Sequence, residues 1–320
     1  MPQPSILIVH ANRKTQRLVQ RVLGSTGYGI DVADDPDQAT RLLAHLSPVL
    51  VVVDGALLVD ATSRDSVAAL FEAARARGVE SCMTLLDSEA AQKVPAILGM
   101  GAITNLLVHP MPVLAEELTI TAQKLIRGDL FGAEKYLMWG TELHETTLVR
   151  ASQRSHLVAD LAHHIRARGQ GARVASMAML VADELISNAV HNAPVDANGV
   201  HHRADLPRDR ELELDGSHQV RLRWGCDARY LAIEVRDHFG SLSRDTILSA
   251  LGKRDVRESG GGAGMGIALA YRSCDHLVFN LAPGTCTEII ALIDVRVVFA
   301  GTRSERSSAS SYNVFVERPQ

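Results

Sequence analysis

Apolar and polar positions follow two rhythms along this chain. In the first 126 residues, short apolar runs alternate with stripes at helical spacing. Ile6-Leu7-Ile8-Val9 reads as a strand, and Leu18, Val19, Val22 and Leu23 follow as one helix face. Ile30-Asp31-Val32 is a weaker strand; beyond Pro36, the residues Ala39, Leu42, Leu43 and Leu46 mark a second helix. The run Val49-Leu50-Val51-Val52-Val53 suits a strand covered on both faces. Helices around 66–77, 88–99 and 112–126 then alternate with strands at 81–86 and 103–107. Five strands alternating with five helices predict a doubly wound parallel sheet of α/β type. Function in such a sheet gathers at the carboxyl ends of the strands.

After residue 126 the rhythm changes. Residues 127–154 combine glycines with Phe131, Tyr136 and Trp139, which predicts an ordered connector, and from 141 to about 168 the pattern is mostly helical. Met177, Leu180, Val181, Leu185 and Val190 stripe a long helix. Residues 194–218 are polar, with Pro194 and Pro207, and read as a surface loop before the next hairpin. Tyr230 to Asp237 alternates as a strand. A glycine run at 260–266 then opens into the apolar Ile267-Ala268-Leu269-Ala270-Tyr271. The Ser- and Arg-rich 301–311 reads as a mobile tail. The expected divisions are 1–126, a connector at 127–154, a second domain at 155–300 and a tail at 301–320.

Composition narrows the class. With 320 residues, 46% of them hydrophobic, the chain has room for two globular domains. A net charge of −4 gives no electrostatic case for nucleic acid or an anionic membrane as partner. Val49 to Val59 is the most apolar stretch, but Asp54 breaks it and it is too short to span a bilayer. None of Cys82, Cys226, Cys274 and Cys286 lies in a Cys-x-x-Cys pair, and Met1-Pro2-Gln3-Pro4 runs straight into a strand. Both features suit reduced thiols and a cytoplasmic location. The adjacent histidine pairs 163/164 and 201/202 lack further ligands at metal spacing.

Three segments carry candidate chemistry. Glu184, Asn188 and Asn192 recur every four residues, so they share one side of a helix. A carboxylate and two amides arranged this way can activate a nucleophile and hold a hard cation through oxygen; a solvated polar face gives the same pattern. Asp237 ends a strand, where a carboxylate can accept from an exocyclic amine; an Asp-Gly turn is the plain alternative. Glycines before a helix allow close backbone approach to phosphate, although glycine runs also make linkers.

In order and spacing the three segments resemble the GHKL ATPase superfamily, over roughly 155–295. The short form without long insertions looks most like the bacterial anti-sigma-factor serine kinases. The resemblance implies the Bergerat-type α/β sandwich and binding of ATP with Mg²⁺. It implies Glu184 as general base and Asn188 as Mg²⁺ ligand, with Asn192 further along the same ATP-binding helix. It likewise implies Asp237 and Gly240 at the adenine, Gly262, Gly264 and Gly266 in a phosphate lid, and Thr287 as a hydroxyl beside the adenine. Lys253 and Arg254, just before the glycines, either steady the phosphates or form an exposed basic turn. The chain departs from the family's Asp-x-Gly-x-Gly at Phe239 and Ser241, and Phe239 is expected to tighten or partly fill the adenine pocket.

The first 126 residues resemble a response-regulator receiver domain. Asp54 matches the phosphoacceptor, Thr84 the switch hydroxyl, and Val108-His109-Pro110 the family's Lys-Pro segment. His10 and Ala11 stand where receivers carry two Mg²⁺-binding acids, and His109 replaces the lysine. Phosphoryl transfer to an aspartate needs that charge neutralisation. A pseudo-receiver used for docking or dimerisation is therefore expected, with Asp54 a vestigial phosphoacceptor that caps a turn.

Together the resemblances imply an ATP-binding signalling regulator with serine/threonine kinase chemistry. Its partner would be a regulatory protein such as a sigma factor or an anti-anti-sigma factor, and a homodimer is plausible by resemblance. Two alternatives stay open: a non-catalytic regulator that sequesters its partner, and an atypical histidine kinase acting through His144, which otherwise reads as a surface histidine.

Overall fold

The apolar runs of the first half form strands in the computed structural model, which describes residues 4–109, 115–208, 210–253, 264–296 and 310–318. The chain divides into two units, Met1–Asp129 with Ser307–Asn313, and Leu130–Arg306 with Val314–Gln320.

In the first unit the order is β1 (Ser5–Val9), α1 (Arg13–Gly24), β2 (Gly29–Ala33), α2 (Pro36–Leu43), β3 (Pro48–Asp54), α3 (Gly55–Val59) and α4 (Arg64–Arg75). Then come β4 (Cys82–Asp87), α5 (Val94–Leu98), β5 (Asn105–His109) and α6 (Ala115–Arg127). The five strands pair in parallel in the order β2-β1-β3-β4-β5, one of the two common doubly wound orders. Alternate residues along β1 and β3 point to opposite faces, and both sets are buried: Ile6, Ile8, Leu50 and Val52 as well as Leu7, Val9, Val51 and Val53. That two-sided burial is what the unbroken apolar runs foretold. Local chemistry sets the helix starts. Asn12 accepts from the amides of Lys14 and Thr15, and Asp35 caps a helix whose first residue is Pro36.

Two expectations change here. The stretch 88–99 is a 3-10 turn, Ser88–Lys93, followed by the short α5, because Pro95 lacks the amide a continuous helix needs there. The C-terminal segment is no mere tail. Ser311–Val316 is a strand, named β11 below, and its Tyr312 and Asn313 pair antiparallel with Leu106 and Asn105 on the β5 edge. Ser311 Oγ accepts from the Val108 amide at 2.9 Å, and the fully buried Tyr312 donates its hydroxyl to the Ile103 carbonyl at 3.0 Å. Residues 301–309 lie outside the described set.

The second unit holds β6 (His144–Leu148), α7 (Gln153–Ala167), α8 (Ala172–Ser187), β7 (Val220–Cys226), β8 (Tyr230–Asp237), α9 (Arg244–Gly252), α10 (Met265–Ser273), β9 (His276–Ala282) and β10 (Cys286–Asp294). The strands pair antiparallel in the order β9-β10-β8-β7-β6. Helix α8 packs on β8 and β10, and α7 and α10 pack on α8. Residues 144–148 were expected to be helical. They form an edge strand instead, in which β-branched Thr146 and Thr147 favour extended backbone.

The connector is ordered, and charges hold it. Glu234 and Glu288 are fully buried on the sheet face away from α8. The amides of Gly132 and Ala133 donate to Glu288 Oε1 at 2.8 Å and Glu234 Oε2 at 2.9 Å. Arg221 and Arg223 pair with Glu234 at 3.1 and 3.2 Å. Burial and the neighbouring Glu288 push the Glu234 carboxyl above the ordinary range.

Candidate functional site

The long helix of the second unit does not end cleanly. After α8 the backbone widens into a π-helical turn, Asn188–Asn192, and such turns recur at functional sites. Within it Asn192 Nδ2 donates to Asn188 Oδ1 at 2.7 Å. That leaves Asn188 Nδ2 buried without a partner among the described residues.

Glycine at 266 has a steric cause. A Cβ there would lie 2.5 Å from Glu184 Oε2 and 3.1 Å from Asn188 Nδ2. The start of α10 thus runs against the acid and amide of α8, and a side chain at 266 would have to displace the end of Glu184. Gly264, the cap residue of α10, has φ +106°, a left-handed conformation that suits glycine. Its Cα faces Lys253, whose Nζ would be 3.4 Å from a Cβ at 264. Glu184 is half-buried, and burial together with Asp183 pushes its carboxyl above the ordinary range, while Arg154 and Arg208 pull it down.

The other end of the site is built by strand register. Asp237 on β8 stands directly opposite Thr287 on β10. Both are buried, and the Thr287 amide and hydroxyl lie beside the Asp237 carboxyl and favour its charged form. Burial pushes the Asp237 carboxyl up, and the amides of Phe239 and Gly240, donating to its Oδ1 at 2.9 and 3.2 Å, oppose that shift. Gly240 is required by the turn itself: its φ is +59°, and a Cβ would lie 2.2 Å from the Ala282 carbonyl oxygen.

A cavity of about 120 Å³, partly open to solvent, joins Asn188, Asn192 and Gly264 to Asp237 and Thr287; Glu184, Gly240 and Gly266 are not among its lining residues. Leu185, Asn188, Ala189 and Asn192 form one wall, and Val235, Asp237, Thr287 and Ile289 the floor. Gly264 and Ile267 close one side, and His201 and Ala204 another. The lining is mainly apolar with a few convergent polar groups, as in small-molecule sites generally. Phe239 is not part of it. Its ring packs against His218 at 5.3 Å between centroids, so of the two expectations, tightening or partly filling the pocket, the second does not hold for this cavity. Gly262 and Arg254 lie outside the described residues.

Sequence reading missed the contribution of the loop 194–218. A turn held by the Asp196 carboxylate, which accepts from Asn198 and Val200, brings His201 and Ala204 to the cavity. Arg208 then reaches back to Asn192 and Ser187. A loop without periodicity gives no sign of where its side chains return.

The strand ends of the first unit carry a different set. Asp54 Oδ1 accepts from the Ala56 amide at 2.9 Å and caps α3, the role expected of it as a plain turn residue. Its Oδ2 lies 3.4 Å from His10 Nδ1. Burial pushes the His10 imidazole below its ordinary value, and Asp54 opposes that. Thr84 is a buried residue inside β4, since the apolar Leu85 and Leu86 extend the strand beyond it to Asp87. Asp87, in register with His109 on β5, occupies the strand end where the switch hydroxyl was expected. No cluster of three or more His, Cys, Asp or Glu able to hold a metal occurs among the described residues. His144 sits on the edge strand β6, its ring stacked on Trp224 and beside His164.

No protein-family model matches the sequence, and no curated protein matches it at a significant level. Among solved structures, the N-terminal two-fifths of the chain is similar to response-regulator receiver domains. One is the receiver domain of a Francisella response regulator, with 16% identity, TM-score 0.30, and coverage of 39% of this chain and 98% of that one. Another belongs to an HD-domain-containing protein of Pseudomonas fluorescens, with 18% identity, TM-score 0.32 and coverage of 39% and 96%. A chemotaxis response regulator of Vibrio cholerae shows 18% identity, TM-score 0.31 and coverage of 38% and 98%.

Proposed function

We propose that this chain is a signalling regulator whose second unit binds ATP and passes the γ-phosphoryl group to a serine or threonine of a regulatory protein partner, as the resemblance to anti-sigma-factor kinases implies. The observation that carries the reading is the close approach of Gly266 to both Glu184 and Asn188. It juxtaposes a backbone suited to phosphates with a base and an oxygen ligand, and of these Asn188 lines the cavity that Asp237 and Thr287 floor. The unpartnered Asn188 Nδ2 and the Asp237 carboxylate are buried polar groups that a purine nucleotide would satisfy, with the Thr287 hydroxyl beside the carboxylate.

In this reading Asp237 accepts from the adenine amino group, held by the amides of Phe239 and Gly240. Thr287 bonds the ring beside it. Asn188 would hold Mg²⁺ through Oδ1, and the ion, when bound, would neutralise phosphate charge. Glu184 takes the proton from the acceptor hydroxyl. That oxygen bonds to the γ-phosphorus as the bond to the bridging oxygen breaks, and ADP leaves. A carboxyl raised by burial is a stronger base than an exposed one.

The first unit supplies no matching switch chemistry in this reading. His10, Ala11 and His109 offer neither the acids nor the lysine that stabilise a phosphoryl group on aspartate, so Asp54 acts as a helix cap and the unit as a docking module.

The test is transfer of radiolabelled γ-phosphate to co-purified partner proteins. Label on partner serine or threonine is expected, falling by about a hundredfold or more in Glu184→Ala. In the wild type the rate should rise with pH as Glu184 loses its proton, with a midpoint above the ordinary value of 4.5. Equal labelling by both proteins would remove Glu184 from the mechanism.

A further inference from the structure

The loop 194–218 delivers a cation to the acid-amide face of the long helix. Arg208 Nη1 lies 3.4 Å from both the carbonyl and the hydroxyl oxygen of Ser187, and Nη2 lies 3.3 Å from Asn192 Oδ1. Ser187 and Asn192 flank Asn188, and Glu184 is one turn back. The guanidinium therefore lies along the edge where Glu184, Asn188 and Gly266 converge.

Its partners are all neutral, and their distances are long for charge-assisted bonds. No carboxylate comes within ion-pairing distance of it among the described residues. The nearby Arg154, by contrast, is neutralised by Asp183 at 3.1 Å. A guanidinium has five donors in a planar fork and binds phosphate well. Arg208 thus acts on Glu184 through space without an ion pair, and its long bonds to neutral partners can be exchanged for the oxygens of an anion. The same loop lines the cavity with His201 and Ala204, so loop wall and cation arrive together.

We propose that Arg208 is a phosphate-recognition residue, holding the terminal phosphates of the bound nucleotide beside Glu184, and that the 194–208 segment is a recognition element of the site. The proposal rests on the nucleotide reading above but assigns a residue which that reading does not require. Arg208 would separate nucleoside triphosphate from nucleoside, a discrimination that Asp237 and Thr287 cannot make from the base end.

The experiment is calorimetric titration of the full chain with Mg·ATP and, separately, with adenosine. Wild type, Arg208→Gln and Arg208→Lys are compared. The expected result is ATP affinity about tenfold weaker in Arg208→Gln, adenosine affinity unchanged, and part of the loss restored in Arg208→Lys by its point charge. Unchanged adenosine binding also reports that the cavity of the variant is intact. Three results overturn the proposal while leaving the nucleotide site standing. They are equal ATP affinity in wild type and Arg208→Gln, parallel loss of both ligands, and a wild type that binds ATP no better than adenosine. A wild type that binds neither ligand overturns the nucleotide reading and this proposal together.

Discussion

At the scale of single residues, the site is set by what cannot be changed. Gly240 is fixed by backbone on every side, and at Gly266 the atoms nearest an added Cβ are the side-chain ends of Glu184 and Asn188. Gly266→Ala should push those side chains apart or shift the start of α10. A stability loss of about 1–3 kcal/mol is expected by chemical denaturation, with nucleotide binding reduced beyond what the stability loss explains. Undiminished binding in that variant would show that the glycine serves packing alone. Much of this was legible in the sequence. The four-residue spacing placed Glu184, Asn188 and Asn192 on one face, and alternation along β8 placed Asp237 at a strand end. The cross-strand partnership of Asp237 and Thr287 was given by resemblance alone, since strand register is not written in either segment. Arg208 was not legible, because a loop residue's destination depends on turns that no periodicity records.

At the scale of elements, apolar rhythm predicted the five parallel strands of the first unit because each is covered on both faces. It failed where short segments answer to tertiary partners. The run 144–148 has exposed and half-buried positions and becomes a strand only by pairing with β7. Strand β11 is similar: ten residues of Ser- and Arg-rich sequence precede it, and its burial comes from a sheet edge more than two hundred positions away. Tyr312 anchors that pairing. Tyr312→Ala should cost about 3–5 kcal/mol in a denaturation titration, as for other large buried aromatics. Tyr312→Phe, which loses the bond to the Ile103 carbonyl, should cost about 1 kcal/mol. A Tyr312→Ala variant as stable as the wild type would show that the strand contributes nothing to the fold.

At the scale of the whole molecule, two units carry unequal chemistry. The first has the strand order of a receiver and a histidine facing its aspartate. The second has a cavity floored by an aspartate–threonine pair and walled by the two asparagine amides of the long helix. Incubation of the full chain with acetyl phosphate and Mg²⁺ should leave Asp54 unmodified by intact mass; a stoichiometric acyl phosphate lost in Asp54→Asn would restore the switch to the first unit. The central claim concerns the second unit, and calorimetry of Mg·ATP binding by the wild type and Asp237→Asn tests it most directly. Saturable binding that weakens by about tenfold or more in the variant is the predicted result; no heat with ATP, or the same affinity in both proteins, would contradict it.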